Sequence, residues 1–164
     1  MIQQLRVLLP NRPGQLARLL EVLAAADVDL KALEVDEAEG GADGQAHLIV
    51  NDLPRAKRAL DASGHTYTVQ DVLVLEVPDE VGGLSRVLAI LSQAGINIHY
   101  LYAFVTRVRG KSLAVLTVDD LTKATKLLTS HEVVLVTSQG LNQEEAPPED
   151  RTSLGEHLSL DFFW

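Results

Sequence analysis

The chain has 164 residues and a formal net charge of −9, and 46% of its residues are hydrophobic although only 4% are aromatic. The absence of cysteine excludes a disulfide scaffold, a thiol nucleophile and a cysteine-ligated zinc site. An acidic chain with no apolar run of about 18 residues argues against a nucleic-acid interface and a membrane span, and the lack of a signal-like start predicts a cytoplasmic location.

The first half of the chain predicts six elements in the order βαββαβ. A strand-like run ends at Pro10, and apolar residues at helical spacing follow from Leu16 to Ala26. The remaining elements are a second strand, a glycine-bearing hairpin near residues 40–44, a third strand at 46–50, a short helix at 54–62 and a fourth strand at 66–69. This order is typical of a ferredoxin-like α+β unit.

The second half of the chain repeats the first. A shift of 68 residues without a gap aligns residues 3–70 with 71–138, and 16 of these 68 positions are identical. Matched leucines carry little weight in a leucine-rich chain, but Pro10 also falls on Pro78 and Gly14 on Gly82. We therefore predict one unit at residues 1–70, a second at 71–141 and an acidic linker with an apolar tail at 142–164.

The start of the first helix in each repeat has the composition of a ligand clamp. A helix N-terminus presents unpaired N–H groups and a positive dipole, which suit a carboxylate. Gly14 and Gly82 let a backbone approach a ligand closely, and Asn11 or Asp79 can accept from an α-ammonium group. Asn or Asp before a helix is also a common N-cap, and glycine a common turn residue, so local sequence leaves both interpretations open.

These motifs resemble those of the ACT domain, a small ligand-sensing module of amino-acid metabolism. The ACT signature joins an Asp/Asn-x-Pro-Gly-x-Leu turn to a Gly/Val-Asn-Ile/Val sequence that enters the second strand. The matching residues are Asn11-Arg12-Pro13-Gly14-Gln15-Leu16 with Asp27-Val28-Asp29-Leu30, and Asp79-Glu80-Val81-Gly82-Gly83-Leu84 with Gly95-Ile96-Asn97-Ile98. The resemblance implies two ferredoxin-like βαββαβ units side by side, which form one continuous antiparallel sheet with helices on one face.

The resemblance further implies an amino-acid site at the seam between units, where one unit supplies the turn and the other the start of its second strand. The residues implicated are Asn11, Arg12, Pro13, Gly14, Gln15, Leu16 and Asp29 in repeat one and Asp79, Gly82, Gly83, Leu84, Asn97 and His99 in repeat two. If the repeats pair, Asn11 and Asn97 form an amide-lined site. The other seam holds Asp29 and Asp79, which repel a ligand carboxylate. We therefore predict one competent site per chain.

Alternation along the second strand of repeat two predicts an aromatic stripe. If Leu33 and Leu101 face the core, then Tyr100, Tyr102 and Phe104 point to the opposite face. Such a stripe on an open face invites a partner, so we expect a homodimer through this stripe or its coverage by the tail. The tail carries the other candidate contacts, which are Phe162, Phe163 and Trp164.

The hairpins of the two repeats differ in charge. Glu37, Glu39 and Asp43 align with Val105, Arg107 and Lys111. Two explanations of this difference stay open. The surface charges of the two hairpins have diverged independently, or their opposite charges favour contact between repeat one and repeat two across an interface.

Enzyme motifs are absent from the sequence, since there is no phosphate-binding loop, nucleophile elbow or HExxH motif. The five histidines lack the spacing of metal ligands, so we expect neither a metal nor another cofactor. The expected function is that of a non-catalytic regulator that binds an amino acid. The alternative is a regulatory subunit, similar to the small subunit of acetolactate synthase or the glycine-cleavage repressor, which acts by binding an enzyme or a transcriptional regulator.

Overall fold

The computed structural model describes residues 1–37, 43–103 and 112–142. These residues form two βαββαβ units that share a strand. The elements are β1 (Ile2–Pro10), α1 (Gln15–Ala25), β2 (Leu30–Glu37), β3 (Asp43–Val50), α2 (Leu53–Ala62), β4 (Tyr67–Val77), α3 (Gly83–Gln93), β5 (Ile98–Ala103), β6 (Ser112–Val118), α4 (Leu121–Ser130) and α5 (Ser138–Asn142). Predictions for Glu39, Phe104, Val105, Arg107, Lys111 and the tail lie outside the described residues.

The strands form one six-stranded antiparallel sheet in the order β2-β3-β1-β4-β6-β5. Strand β4 joins the two repeats because it combines the predicted fourth strand of repeat one with the first strand of repeat two. Its first part pairs with β1, from Tyr67 opposite Val7 to Val72 opposite Ile2. Its last part pairs with β6, from Leu73 opposite Leu116 onward. The predicted continuous sheet is thereby confirmed.

The predicted last strand at residues 133–137 is reduced to a single bridge. Leu135 lies opposite Leu75 of β4, and the N–H of Val136 donates to the carbonyl of Val74 at 2.7 Å. The chain then turns into α5, whose Leu141 is buried. This short return places the end of repeat two against the start of repeat one, where Ile2 belongs to the same apolar cluster as Leu141.

The four long helices cover one face of the sheet with two separate apolar cores. In repeat one, α1 and α2 bury residues such as Leu19 and Leu60 against Leu5 and Leu48. In repeat two, α3 and α4 bury an equivalent set against the odd-numbered residues of β4, Leu73, Leu75 and Val77. Burying one leucine stabilises the fold by about 1.5–3 kcal/mol, so each core is a substantial source of stability. The predicted placement of helices on one face is confirmed.

The opposite face of the sheet bends onto itself, so that the two repeats touch. Tyr102, Leu113 and Val115 of repeat two form one buried cluster with Ile2 and Ile49 of repeat one. Consequently Tyr102 is only 8% exposed, and the prediction that the aromatic stripe lies on an open face is wrong for this residue. The prediction failed because the covering surface comes from a distant part of the same chain.

The edge strand β2 exposes apolar side chains that the sequence assigned to the core. Leu33 is 39% exposed and Val35 is 47% exposed, whereas the equivalent Leu101 packs against the core of repeat two. The prediction that Leu33 is buried with Leu101 is therefore wrong. Among the described strands β2 lies at an edge of the sheet and pairs with β3, so its outer edge next to these exposed side chains faces no other described strand.

Candidate ligand site

Each predicted ligand turn ends at a glycine in the left-handed conformation. Gly14 (φ 86°) and Gly82 (φ 83°) are the N-caps of α1 and α3. Asn11 and Asp79 therefore lie three residues before the positions that cap α1 and α3. The left-handed conformation costs an L-residue about 1–2 kcal/mol, which alone explains both glycines.

Gly83 has a different role from its neighbour. A Cβ built on Gly83 would lie 2.1 Å from the carbonyl oxygen of Pro78, so only glycine fits between the turn and the end of β4. At Gly14 a Cβ would meet nothing within 4 Å. The two turns share their backbone path nevertheless, because Arg18 and Arg86 donate their N–H groups to the carbonyls of Gly14 and Gly82, both at 3.0 Å.

A cleft lies beside each turn, at equivalent positions of the two repeats. The repeat-one cleft has a volume of about 730 Å³ and includes Gln15 and Arg18. The repeat-two cleft has a volume of about 400 Å³ and includes Gly83 and Arg86, the residues 68 positions later. The walls differ in polarity: Glu21, Asp43 and His65 line the first cleft, and Val87, Ile90 and Val133 line the second.

The starts of β2 and β5 have the same backbone-to-side-chain hydrogen bond, with Asp and Asn exchanged between the donating and the accepting residue. The N–H of Asp29 donates to Asn51 Oδ1 at 2.9 Å, and the N–H of Asn97 donates to Asp119 Oδ1 at 3.2 Å. The side chain of Asp29 also pairs with Lys31 Nζ at 2.9 Å. Asp29 and Asn97 are both exposed, so each can contact a molecule from outside the chain.

A third cavity of about 600 Å³ lies beside the start of β2. Lys31 and Asn51 line it together with the start of β1, and α5 contributes Ser138 and Leu141. This cavity is therefore bounded by both ends of the described chain.

Within each repeat, the turn and the start of the second strand lie at opposite ends of the sheet. In repeat one, Gly44 of β3 is level with Leu9, near the turn, and Val50 is level with Leu30. These two levels are about six residues apart on β3, or ~20 Å at 3.4 Å per residue. A single repeat therefore cannot supply both halves of the predicted site to one small ligand.

Strand register also separates Asn11 from Asn97 within one chain. Val7 pairs with Tyr67, the first residue of β4, so Asn11 lies beyond the beginning of that strand. Asn97 precedes Ile98, whose partner Val118 is level with the middle of β4. The two asparagines are about seven residues apart along the strand direction, or ~24 Å at 3.4 Å per residue. The fold of a single chain thus holds the two exposed asparagines apart.

The sequence model of the family described as an ACT domain pair matches residues 1–144. This chain belongs to the ACT domain family. No curated protein matches the sequence. Among solved structures, a protein from Bacteroides thetaiotaomicron is 30% identical with a TM-score of 0.78, over 87% of this chain and 96% of that protein. This similarity supports the same paired ACT architecture in both chains.

Two more distant structures share the ACT fold. The regulatory subunit of aspartate kinase from Thermus thermophilus is 14% identical with a TM-score of 0.57, over 78% of this chain and 90% of that one. The corresponding subunit from Thermus flavus is 15% identical with a TM-score of 0.56, over 79% and 90%. The ACT pair itself supports a regulatory, ligand-binding role that needs no catalytic group.

The described parts of this ACT pair contain neither a candidate metal-binding cluster nor a candidate membrane-spanning helix. Within residues 1–37, 43–103 and 112–142, no three His, Asp or Glu side chains lie close enough together to hold a metal ion. No helix in the same ranges combines the length and apolar character needed to cross a membrane.

A buried polar cluster joins the two ACT repeats, and the sequence did not predict it. We call Gln4, His47, Tyr100 and Tyr102 the Gln4 cluster. Gln4 is 0% exposed and His47 is 2% exposed. The Gln4 side chain contacts His47 Nδ1 at 3.0 Å and Tyr100 Oη at 2.6 Å, and the Tyr102 hydroxyl donates to Gln4 Oε1 at 2.8 Å. One feature of the sequence could have indicated this cluster: Tyr100 and Tyr102 share one face of β5, and tyrosine hydroxyls need polar partners when they are buried.

Burial changes the acid–base properties of this region. It lowers the pKa of His47, with the cation of Arg6 as a smaller cause, and Asp36 partly opposes the shift. Burial also raises the pKa of Tyr102. The pKa of Glu34 is raised by burial too, and the negative charge of Asp36 is a smaller cause of that shift. These shifts favour the uncharged form of all three groups in the contact between repeats.

Proposed function

We propose that this protein is a non-catalytic regulator that binds an amino acid at a seam between ACT units of two chains. The observation that carries this proposal is the register of the sheet. Each repeat exposes a glycine turn at one end and a polar strand start at the other, and the fold of one chain keeps Asn11 and Asn97 apart. A complete site with both asparagines therefore takes its halves from two copies.

Edge-to-edge pairing brings these halves together. Strands β2 and β5 are the two edges of the sheet. The end of β2 is level with Leu9, because Glu37 and Leu9 both pair with Gly44. If β2 pairs antiparallel with β5 of a second copy, the start of that β5 lies beside the end of β2. Asn97 of the second copy then lies near the turn that contains Asn11.

The same pairing juxtaposes Asp29 with Asp79 of the second copy at the other end of the seam. The chemistry of the two ends differs. Neutral amides at Asn11 and Asn97 tolerate a ligand carboxylate beside the positive end of α1, which has no acidic residue in its first turn. Two carboxylates at the other end repel that ligand. A twofold dimer with both seams formed would then hold one amino acid per chain.

Thermal denaturation of the purified protein with each common amino acid tests the ligand. At a concentration of one hundred times its dissociation constant, the cognate amino acid should add about 2.7 kcal/mol to the free energy of unfolding. Asn11→Ala should abolish the response. Asp79→Ala, at the equivalent position of repeat two, should leave it intact because Asp79 belongs to the other end of the seam.

Two results would contradict the amino-acid proposal. The first is the absence of a thermal response to any amino acid, and the second is a full response in Asn11→Ala. Calorimetric titration provides an independent count, since two equivalent sites per chain would show that the Asp29–Asp79 end is also competent.

The dimer itself has a separate test at β2. Leu33→Lys should convert a dimer into a monomer, because it places a charge on an apolar edge that the proposed pairing buries. Val134→Lys is the matched control, since Val134 is an exposed apolar residue that lies beside β4 and not at an edge of the sheet. Sedimentation or light scattering gives the mass. A wild-type protein that is monomeric at all concentrations, with or without amino acid, would eliminate the two-copy seam.

The exposed edge of β2 also supports the alternative of a regulatory subunit. Leu33 and Val35 offer an apolar surface on a strand that lies at the edge of the described sheet, and such an edge can bind a strand of another protein as well as a second copy. A monomer without an amino-acid response, whose Leu33→Lys variant loses binding to a defined metabolic enzyme or transcriptional regulator, would favour this alternative.

A further inference from the structure

The hydrogen bonds of the Gln4 cluster have a defined direction. An amide nitrogen can only donate, so Gln4 Nε2 gives one hydrogen to His47 Nδ1 and the other to Tyr100 Oη. Gln4 Oε1 accepts from the Tyr102 hydroxyl, and the Tyr100 hydroxyl donates onward to Gln70 Oε1 at 3.4 Å. The arrangement requires that Nδ1 of His47 carries no proton, and the neutral ring then carries its proton on Nε2.

The groups around His47 come from three strands. From β2, Asp36 Oδ1 lies 3.5 Å from His47 Nε2, and Glu34 lies directly across from His47 in the strand pairing. From β1, Arg6 is the other cross-strand neighbour, and it also bonds Gln45. From β5, the Tyr100 ring lies 4.9 Å from the His47 ring between centroids. His47 Nε2 is buried without a hydrogen bond to the described residues.

We propose that the Gln4 cluster is an acid-sensitive clasp between the two repeats, which opens when His47 takes up a proton on Nδ1. Protonation turns the acceptor of Gln4 Nε2 into a donor, so two donors face each other in a site without water access. The contact that fails joins β1 and β3 of repeat one to β5 of repeat two. Opening therefore releases β5 from repeat one and leaves both helix-covered cores intact.

Rotation of the Gln4 amide repairs the clasp only in part. Rotation would present Oε1 to the protonated His47, which satisfies the ring, and would turn Nε2 toward the Tyr102 hydroxyl, whose oxygen can accept from it. The Tyr102 proton then loses Gln4 Oε1, the acceptor that it has in the closed cluster. A buried hydroxyl proton that loses its acceptor carries a free-energy cost, so the rotated cluster is less stable than the closed one.

The pH range follows from the sign of the histidine shift. Because burial lowers the pKa of His47, the open state binds a proton more readily than the closed state. The clasp is closed above the ordinary histidine pKa of about 6.5 and loses stability as the pH falls below it, by up to tenfold in the closing equilibrium per pH unit. Glu34 acts in the opposite sense, because burial raises its pKa and favours its protonated form.

Hydrogen exchange on the full chain tests the clasp. After correction for the intrinsic exchange rate, the amides of β5 should lose protection as the pH falls below about 6.5, by up to tenfold per pH unit. The amides of α1 and α3 should lose less. His47→Gln should remove this acid dependence of β5, and His65→Gln, which changes a half-buried histidine outside the Gln4 cluster, should retain it.

A second variant guards against a folding defect in His47→Gln. Tyr102→Phe removes the hydroxyl whose proton opposes rotation of the Gln4 amide, so it should weaken the acid dependence of β5 while the apolar packing of the ring is retained. The clasp is overturned if β5 protection in the wild type does not change with pH, or if His47→Gln and Tyr102→Phe both keep the full wild-type dependence.

Discussion

Gly83→Ala is expected to lower the free energy of unfolding by about 1–3 kcal/mol. The new methyl group would lie 2.1 Å from the Pro78 carbonyl oxygen, so either the turn or the end of β4 must move. The helix propensity of alanine recovers less than about 1 kcal/mol of this loss. Urea denaturation monitored by circular dichroism measures the difference.

The equivalent position of repeat one supplies the control for this substitution. Repeat one carries Gln15 where repeat two has Gly83, and its larger neighbouring cleft accommodates that side chain. Gln15→Ala should change the free energy of unfolding by no more than about 0.5 kcal/mol. Equal stability of Gly83→Ala and the wild type would show that the Pro78 carbonyl is not a fixed neighbour.

Leu48→Ala and Leu116→Ala should each lower the free energy of unfolding by about 2–5 kcal/mol. Both side chains are 0% exposed, and they occupy equivalent positions in the cores of repeat one and repeat two. For a domain of this size, each kcal/mol should lower the melting temperature by ~2–4 °C. Differential scanning calorimetry measures both the temperature and the number of transitions.

The number of transitions tests how the repeats are joined. Because both repeats share β4 and a buried cluster, each substitution should shift one common transition. A calorimetric trace in which Leu48→Ala moves one peak and Leu116→Ala moves another would contradict this coupling. Leu8→Ala is a suitable control, since Leu8 is 43% exposed and its truncation should have a much smaller effect.

The sequence predicts the repeat, the order of elements and the glycine turns because these depend on local physics. The hydrophobic periodicity and the turn residues occur in both repeats. Both copies also form the same helix caps, since Asp52 and Asp120 each accept from the backbone N–H three residues later, at 2.9 and 2.8 Å. The same local signals could not show that two strands fuse into β4. Gln70 and Asp71 resemble a polar break, yet they pair with Gln4 and Gln3 of β1.

The remaining differences arise from contacts between residues far apart in sequence. Tyr102 looked exposed because alternation places it opposite the helix face, and nothing in the local sequence shows that Gln4 covers it. Leu33 looked buried because strand alternation places it on the helix face together with its repeat partner Leu101, yet Leu33 is exposed on the edge strand β2 and Leu101 is partly buried on β5. The Asn11–Asn97 site remains a prediction that needs the relative placement of two chains.

The shared strand limits the ways in which the repeats can move. Because β4 is hydrogen-bonded to β1 along its first part and to β6 along its last, a sliding motion would break both ladders. A slip of one residue would also turn every side chain of the strand to the wrong face. The motion that keeps both ladders intact is a change in the twist or bend of β4 between its two paired parts. Opening of the Gln4 cluster would then change the angle between the repeats more than their position along β4.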